Sequence, residues 1–313
     1  MKKSVKMTDT APVAQPDRVV ASEAIGRGFE SLRARQNSST SKLNLNVFTL
    51  TNAFGQIAAS EYGGQLLSWQ TADGVEHLYT PDALSIQPGR ALRGGVPVCF
   101  PQFSGRGELP KHGLVRTKPW QLRGKTDSAL ILAITDDDQT RALWPYAFEL
   151  IQTIVLDRDR LSITLDFHNR SPLPLVFTAA LHTYLHVADV TRCVLEGLDA
   201  HDYEDAADQG RFKVQQGGLR IDGEVDRVFA DAPRELLLRR DGMADLRITQ
   251  GGFKDTVVWC PGPVIAATFT DMPAEDWRRM LCVEAAAAAQ PVTVLAGGHW
   301  QGWQALSALN LER

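Results

Sequence analysis

No stretch of this chain approaches the roughly 20 consecutive apolar residues that a membrane-spanning helix requires, which excludes a helical membrane protein. Cysteine is scarce: Cys99, Cys193, Cys260 and Cys282 are scattered through 313 residues without a CxxC pair or any metal-ligand spacing. Each lies in an apolar stretch, so reduced, buried thiols in a cytoplasmic protein are expected, not a disulfide framework. The basic start Met1-Lys2-Lys3 is followed by Asp9, Gln15, Asp17 and Arg18, which break any apolar run and leave no legible secretory signal. Internal repeats at a propeller period are missing, as is any long amphipathic helix pattern. What is present is a globular average, 44% hydrophobic and 22% charged with a net charge of -4, which rules out a wholly disordered chain.

Residues 1–42 differ from the remainder. They hold eight Lys/Arg against four Asp/Glu, lack periodic patterning and end in Gln36-Asn37-Ser38-Ser39-Thr40-Ser41. Such a segment buries too little apolar surface to offset its ordering entropy, so a disordered, solvated tail is expected over a nucleic-acid arm. Its wording, Val13-Ala14-Gln15-Pro16-Asp17-Arg18 through Gly28-Phe29-Glu30-Ser31, resembles a conceptually translated tRNA gene, which suggests a start codon placed too far upstream.

From Leu43 to Arg313 the signal is β. Leu161, Ile163, Leu165 and Phe167 alternate with Ser162, Thr164 and Asp166, the period of a half-buried strand. Residues 150–156 meet them across Asp157-Arg158-Asp159-Arg160, a polar hairpin loop, and a second hairpin is expected between Leu236 and Ile248, turning at Asp241-Gly242. Residues 129–134, 176–187, 256–259, 280–283 and 291–295 read as further strands. Many short strands with hairpin connections predict one all-β antiparallel sandwich or barrel domain over residues 43–313.

Charge is unevenly spread. Residues 90–125 contain Arg90, Arg93, Arg106, Lys111, Arg116, Lys118, Arg123 and Lys125 against Glu108 alone, a balance of +7 inside a chain of -4, leaving -11 elsewhere. A solvated loop is one reading; an anion site of guanidinium groups is the other. Nucleic acid fits less well than a small phosphorylated molecule, because the acidic remainder repels a polyanion and glycine and proline interrupt the basic face.

Four segments then align in order. Arg93-Gly94-Gly95-Val96-Pro97-Val98-Cys99-Phe100-Pro101 with Leu109-Pro110-Lys111-His112-Gly113-Leu114-Val115-Arg116, then Leu181-His182-Thr183-Tyr184-Leu185-His186-Val187, then Met280-Leu281-Cys282-Val283-Glu284-Ala285, and finally Pro291-Val292-Thr293 with Gly297 to Trp303. Together they resemble the hexose-6-phosphate mutarotase (glucose-6-phosphate 1-epimerase) branch of the aldose 1-epimerase family. Gly252-Phe253-Lys254-Asp255-Thr256-Val257-Val258-Trp259 and Asp271-Met272-Pro273 add spacing. The resemblance implies a galactose-mutarotase-like β-sandwich and a cofactor-free interconversion of the α and β anomers of glucose 6-phosphate or related hexose phosphates. With hydropathy and charge arguing against a membrane or nucleic-acid partner, a small sugar phosphate is the expected ligand and a monomer the expected state.

By motif position Glu284 matches that family's general base and His182 its general acid. Glu284 stands out independently, because a lone carboxylate in an apolar run is costly to bury unpaired, although strand alternation also permits it to face outward. For His182 the competing reading is stronger, a core histidine hydrogen-bonded to backbone; as an acid, its ordinary pKa of about 6.5 would keep both forms available near neutrality. The spacing of His182 and His186 would suit a metal on a helix, but four strand residues span roughly 13 Å, so no metal site is expected. Arg93 and Arg116 match phosphate-side arginines, and Lys111 occupies a substrate-contacting position where relatives often carry Gln or Ala. Asp226 matches an acid that binds sugar hydroxyls, its bland alternative being a loop cap. His112 either lines the pocket or braces the Arg93 and Arg116 loops, the second being favoured. Two competing functions remain open at this point: an aldose 1-epimerase acting on unphosphorylated sugars, and a non-catalytic carbohydrate-binding module.

Overall fold

The computed structural model describes residues 45–84, 87, 89–158 and 160–309; the tail over residues 1–42 lies outside them. Three antiparallel sheets form the body. A small one joins Val47–Asn52, Gly55–Ser60 and Leu66–Thr71. An outer eight-stranded sheet runs in the order Val194–Glu196, Glu235–Arg239, Leu246–Gly251, His299–Ala308, Arg160–Asn169, Phe148–Asp157, Ala129–Thr135, Gln121–Lys125. An inner sheet runs Arg211–Val214, Asp202–Asp205, Val225–Phe229, Asp255–Cys260, Met280–Val294, Leu175–Leu181, Val98–Cys99, with Tyr184–His186 also paired to Met280–Val294.

The outer sheet folds as its alternation predicts. Phe148, Leu150, Ile154 and Leu156 bury one face of their strand, and Leu161, Ile163, Leu165 and Phe167 bury the same face of the next. These side chains meet Leu175, Phe177, Leu181, Val283 and Ala285 of the inner sheet in one core. Burying each such side chain stabilises the fold by about 1.5–3 kcal/mol, which makes the sandwich face the dominant contribution. Both expected hairpins are present: Asp157 pairs with Arg160, and Leu236 to Leu238 pair with Ile248 to Leu246. All four cysteines are free and buried.

Two expected strands are really one. The segments 280–283 and 291–295 belong to the single strand Met280–Val294, which carries an irregularity in its middle. Ala287 pairs with Ala179 and Val292 with Phe177, so residues 288–291 oppose Thr178 alone. The freed amides are collected by a buried carboxylate: Ala288, Ala289 and Gln290 donate their N–H groups to Asp255 Oδ2 at 2.8, 2.7 and 3.4 Å. Conversely, the continuous strand expected over residues 176–187 is interrupted at His182 and Thr183, where His182 donates its N–H to the Pro97 carbonyl instead of a strand neighbour.

Asp255 is fully buried and holds this bulge through charge-assisted hydrogen bonds. Asp255→Ala leaves those amides unsatisfied and should lower the unfolding free energy by about 3 kcal/mol or more, measured in urea; Asp255→Asn, which keeps one acceptor oxygen, should lose less.

Candidate active site

Register across four strands assembles the site. Leu181 lies opposite Ala285 and Tyr184 opposite Cys282, one uninterrupted register. It places His182 across from Glu284, and Val283 donates to the Thr183 carbonyl at 3.1 Å between them. Glu284 in turn pairs with Val257, and Val257 with Val228. One rung further, Tyr184, Cys282, Trp259 and Asp226 follow the same order. Directly paired antiparallel residues share a sheet face with Cβ atoms roughly 4.5–5.5 Å apart, so these eight side chains all emerge on the face turned away from the sandwich core.

Above the two rungs lies a cavity of about 320 Å³. All seven residues singled out in the sequence line it: His182, Glu284, Arg93, Lys111, Arg116, Asp226 and His112. Glu284 does not face outward; only 1% of it is exposed. Asp226 sits within the strand Val225–Phe229, not in a loop. The sequence reading gave no role to Arg106, Tyr184, Trp259 and Phe269, which also line the cavity. Alternation from His182 to Tyr184 was the available signal for one of them; Phe269 and Trp259 carried none, because their placement depends on pairing between distant strands.

His182 and Glu284 touch, Nε2 to Oε1, at 3.4 Å. Neither is otherwise satisfied: His182 Nδ1 and Glu284 Oε2 are buried without a hydrogen-bond partner. Native proteins satisfy most such groups, so an imidazole and a carboxyl left in this state, on residues that line a cavity, mark a place where a polar ligand belongs. The imidazole stacks on Tyr184 (4.9 Å, 14°) and meets the edges of His112 (5.3 Å) and Trp259 (5.9 Å). Burial pushes the Glu284 carboxyl well above its ordinary range, with nearby Asp226 adding to the rise. Burial, then the positive charge of Arg116, drives His182 down to about 3. The expectation of a histidine titrating near neutrality is therefore corrected. The imidazole is neutral and the pair's single proton rests on the carboxyl, because neither group keeps a charge away from water.

His112 shows why its turn needs the sequence Lys-His-Gly. Both His112 and Gly113 adopt left-handed backbone, with φ of 64° and 75°. A Cβ on Gly113 would fall 2.1 Å from the Phe100 carbonyl oxygen. The Ser104 N–H donates to His112 Nδ1 at 3.3 Å, so that nitrogen is an acceptor and the Cys99 thiol, 3.1 Å away, also donates to it. The ring proton consequently sits on Nε2. His112 is a neutral donor lining the cavity, held at about 2 by burial and then by His182, Arg116 and Lys111. Its partners are Cys99 and Ser104, so it ties the segment that begins with Arg93 to the turn that leads to Arg116 while also lining the cavity.

The basic segment divides in two. Arg93, Arg106, Lys111 and Arg116 line the cavity, while Arg90, Lys118, Arg123 and Lys125 do not. Arg93 is held by Asp271 (Nε to Oδ1, 2.9 Å) with its guanidinium 4.0 Å over the Phe269 ring, and Arg106 by Glu204 (2.7 Å). Among the described residues Lys111 and Arg116 have no carboxylate partner; Arg116 donates instead to the Lys111 carbonyl at 2.8 Å. His182, Cys282 and Glu284 place ligand-type atoms within 4.8 Å of one another, whereas the His182 and His186 pair considered from sequence does not form such a group.

These environments have a spectroscopic consequence. Ring ¹⁵N and ¹H shifts of His77, His112, His182 and His186, all depressed chiefly by burial to about 3, 2, 3 and 4, should report neutral imidazole throughout pH 5–8 in the free protein. A midpoint for His182 near 6.5 would contradict the arrangement.

Comparison with known proteins identifies the family and the fold. The family model for aldose 1-epimerase matches residues 46–307. A Cenchrus ciliaris protein named "Putative glucose-6-phosphate 1-epimerase" is 33% identical over 79% of this chain and 80% of its own length. An Escherichia coli protein of the same name is 30% identical over 73% and 78%. Among solved structures, a Salmonella typhimurium protein described as "a putative mutarotase" superimposes with a TM-score of 0.79 at 23% identity, covering 90% of this chain and all of the other. The galactose-mutarotase-like fold recurs in a Lactobacillus acidophilus protein at a TM-score of 0.69, with 12% identity over 85% of this chain and 98% of the other. On the family match and the relatives' identity, the chain belongs to the aldose 1-epimerase family and is an isomerase.

Proposed function

We propose that this protein interconverts the α and β anomers of hexose 6-phosphates, glucose 6-phosphate foremost, by acid–base opening and reclosure of the ring, without a cofactor. One observation carries the choice of a phosphorylated sugar: two cations without carboxylate partners, Lys111 and Arg116, line the same cavity as the His182–Glu284 pair. Surplus positive charge beside a reacting pair is matched by a dianion. Arg93, whose terminal nitrogens are not taken up by Asp271, completes the phosphate side. Asp226 and the neutral donor His112 bind sugar hydroxyls, and Trp259 and Tyr184 offer flat apolar surface to the ring.

The chemistry needs one proton removed from the anomeric hydroxyl and one delivered to the ring oxygen, followed by rotation about C1–C2 and reclosure. Glu284 takes the first and His182 gives the second. Their shared proton therefore has to stand on the imidazole when the sugar is bound. Phosphate binding favours that shift: Arg116, Arg93 and Lys111 are the charges that disfavour imidazolium in the empty site, and the phosphate dianion screens them. Recognition of the phosphate thus arms the acid. Once opened, the sugar passes the proton back through the same two groups, so either anomer can enter.

Two-dimensional exchange NMR tests this reading. The protein should accelerate anomer exchange of glucose 6-phosphate far more than that of glucose. Glu284→Gln and His182→Ala should each slow it by about 10²–10⁴-fold. Arg116→Ala should raise KM for the phosphorylated sugar without lowering any residual activity on glucose, since it also removes a charge that disfavours imidazolium at His182. Equal acceleration of both sugars would favour a free-aldose epimerase, and none for either would reduce the domain to a carbohydrate-binding module.

A further inference from the structure

Of the eight side chains on the two reacting rungs, Cys282 is the only one that does not line the cavity. It is fully buried, two residues before Glu284 on the same strand face, and in register with Tyr184 on one side and Trp259 on the other. Its sulfur lies within 4.8 Å of a ring nitrogen of His182 and a carboxyl oxygen of Glu284. The 3.4 Å between His182 Nε2 and Glu284 Oε1 is about the edge of a tetrahedron with arms of ~2.1 Å, the usual reach of zinc to nitrogen and oxygen. His182 Nδ1 and Glu284 Oε2, both buried, have no partner.

We propose that His182, Cys282 and Glu284 form a latent zinc site whose occupation switches the active site off. One thiolate, one imidazole and one carboxylate make a donor set suited to zinc and foreign to magnesium or calcium, which take oxygen. Binding releases the thiol proton and the carboxyl proton, so Zn²⁺ meets two anions and one neutral ring and the filled site carries no net charge. That neutrality avoids the large cost of an isolated ion in a buried place. The cavity bordering His182 and Glu284 provides the entry path and a water for the fourth position. Zinc held there occupies both groups that anomerisation needs, so metal and sugar exclude each other.

This inference goes beyond the proposed reaction; only its inhibitory half rests on that reading. The test uses the full-length protein stripped of metal by a chelator and titrated with Co²⁺, whose thiolate complexes show a sulfur-to-metal charge-transfer band. One equivalent should bind with that band, and Zn²⁺ should displace it. One equivalent of Zn²⁺ should also abolish glucose 6-phosphate anomer exchange, with recovery on adding chelator. Cys282→Ser, checked by Cys282→Ala, should retain metal-free exchange, lose the band, and weaken zinc inhibition on the order of 10- to 100-fold. Absence of the band in the unaltered protein, an unchanged band in both variants, or full activity with zinc bound overturns the proposal. A protein that shows the Cys282-dependent band yet anomerises no sugar would defeat the mutarotase reading and leave the metal site standing.

Discussion

The contact between His182 and Glu284 is a product of sheet register. Two residues 102 positions apart in the chain become cross-strand neighbours because Leu175–Leu181 and Tyr184–His186 pair with Met280–Val294 in one phase. Every other floor residue follows from that phase, since Val257 and Trp259 are fixed against Glu284 and Cys282, and Val228 and Asp226 against them. A slip of one residue would turn all of these side chains into the sandwich core. The break at His182 and Thr183 does not disturb the phase. It redirects the His182 amide to Pro97, tying the histidine to the segment that begins with Arg93.

Burial gives this pair its character. A carboxyl and an imidazole in water would be ionised separately; inside the sheet floor they hold one proton between them. The surrounding cations then become a control on where that proton sits. Arg93 and Arg106 already have acidic partners, whereas Lys111 and Arg116 have none among the described residues, so the site's unbalanced field comes from a single turn around His112 and Gly113. Left-handed backbone at both turn residues brings that field to the edge of the floor.

Much of this was legible in the sequence, though unevenly. Alternation at Leu161 to Phe167 revealed a half-buried strand because polar and apolar residues occupy opposite faces there. The run Met280 to Ala288 gave no such signal, being buried on both faces, and its bulge was invisible because the carboxylate that stabilises it, Asp255, lies on a neighbouring strand. The seven site residues were found through motif resemblance, and the carboxylate of Glu284 also stood out as a charge in an apolar run. Trp259, Phe269 and Arg106 escaped because nothing local distinguishes an aromatic or a cation that lines a cavity from one that packs or solvates. The protonation of His182 could not be read either: a pKa depends on burial and on charges brought from elsewhere, and neither is local in sequence.

The bulge at residues 288–291 separates two requirements on one strand. Upstream, the spacing from Cys282 to Ala287 is fixed by partners on both sides. Downstream, Val292 to Val294 only need to reach Leu175 to Phe177. With slack chain between them and Asp255 anchoring its near end, the far half can gain or lose length without rephasing the chemistry. Natural variation in chain length should therefore accumulate beyond Ala289 in this strand, and the stretch before it should tolerate none.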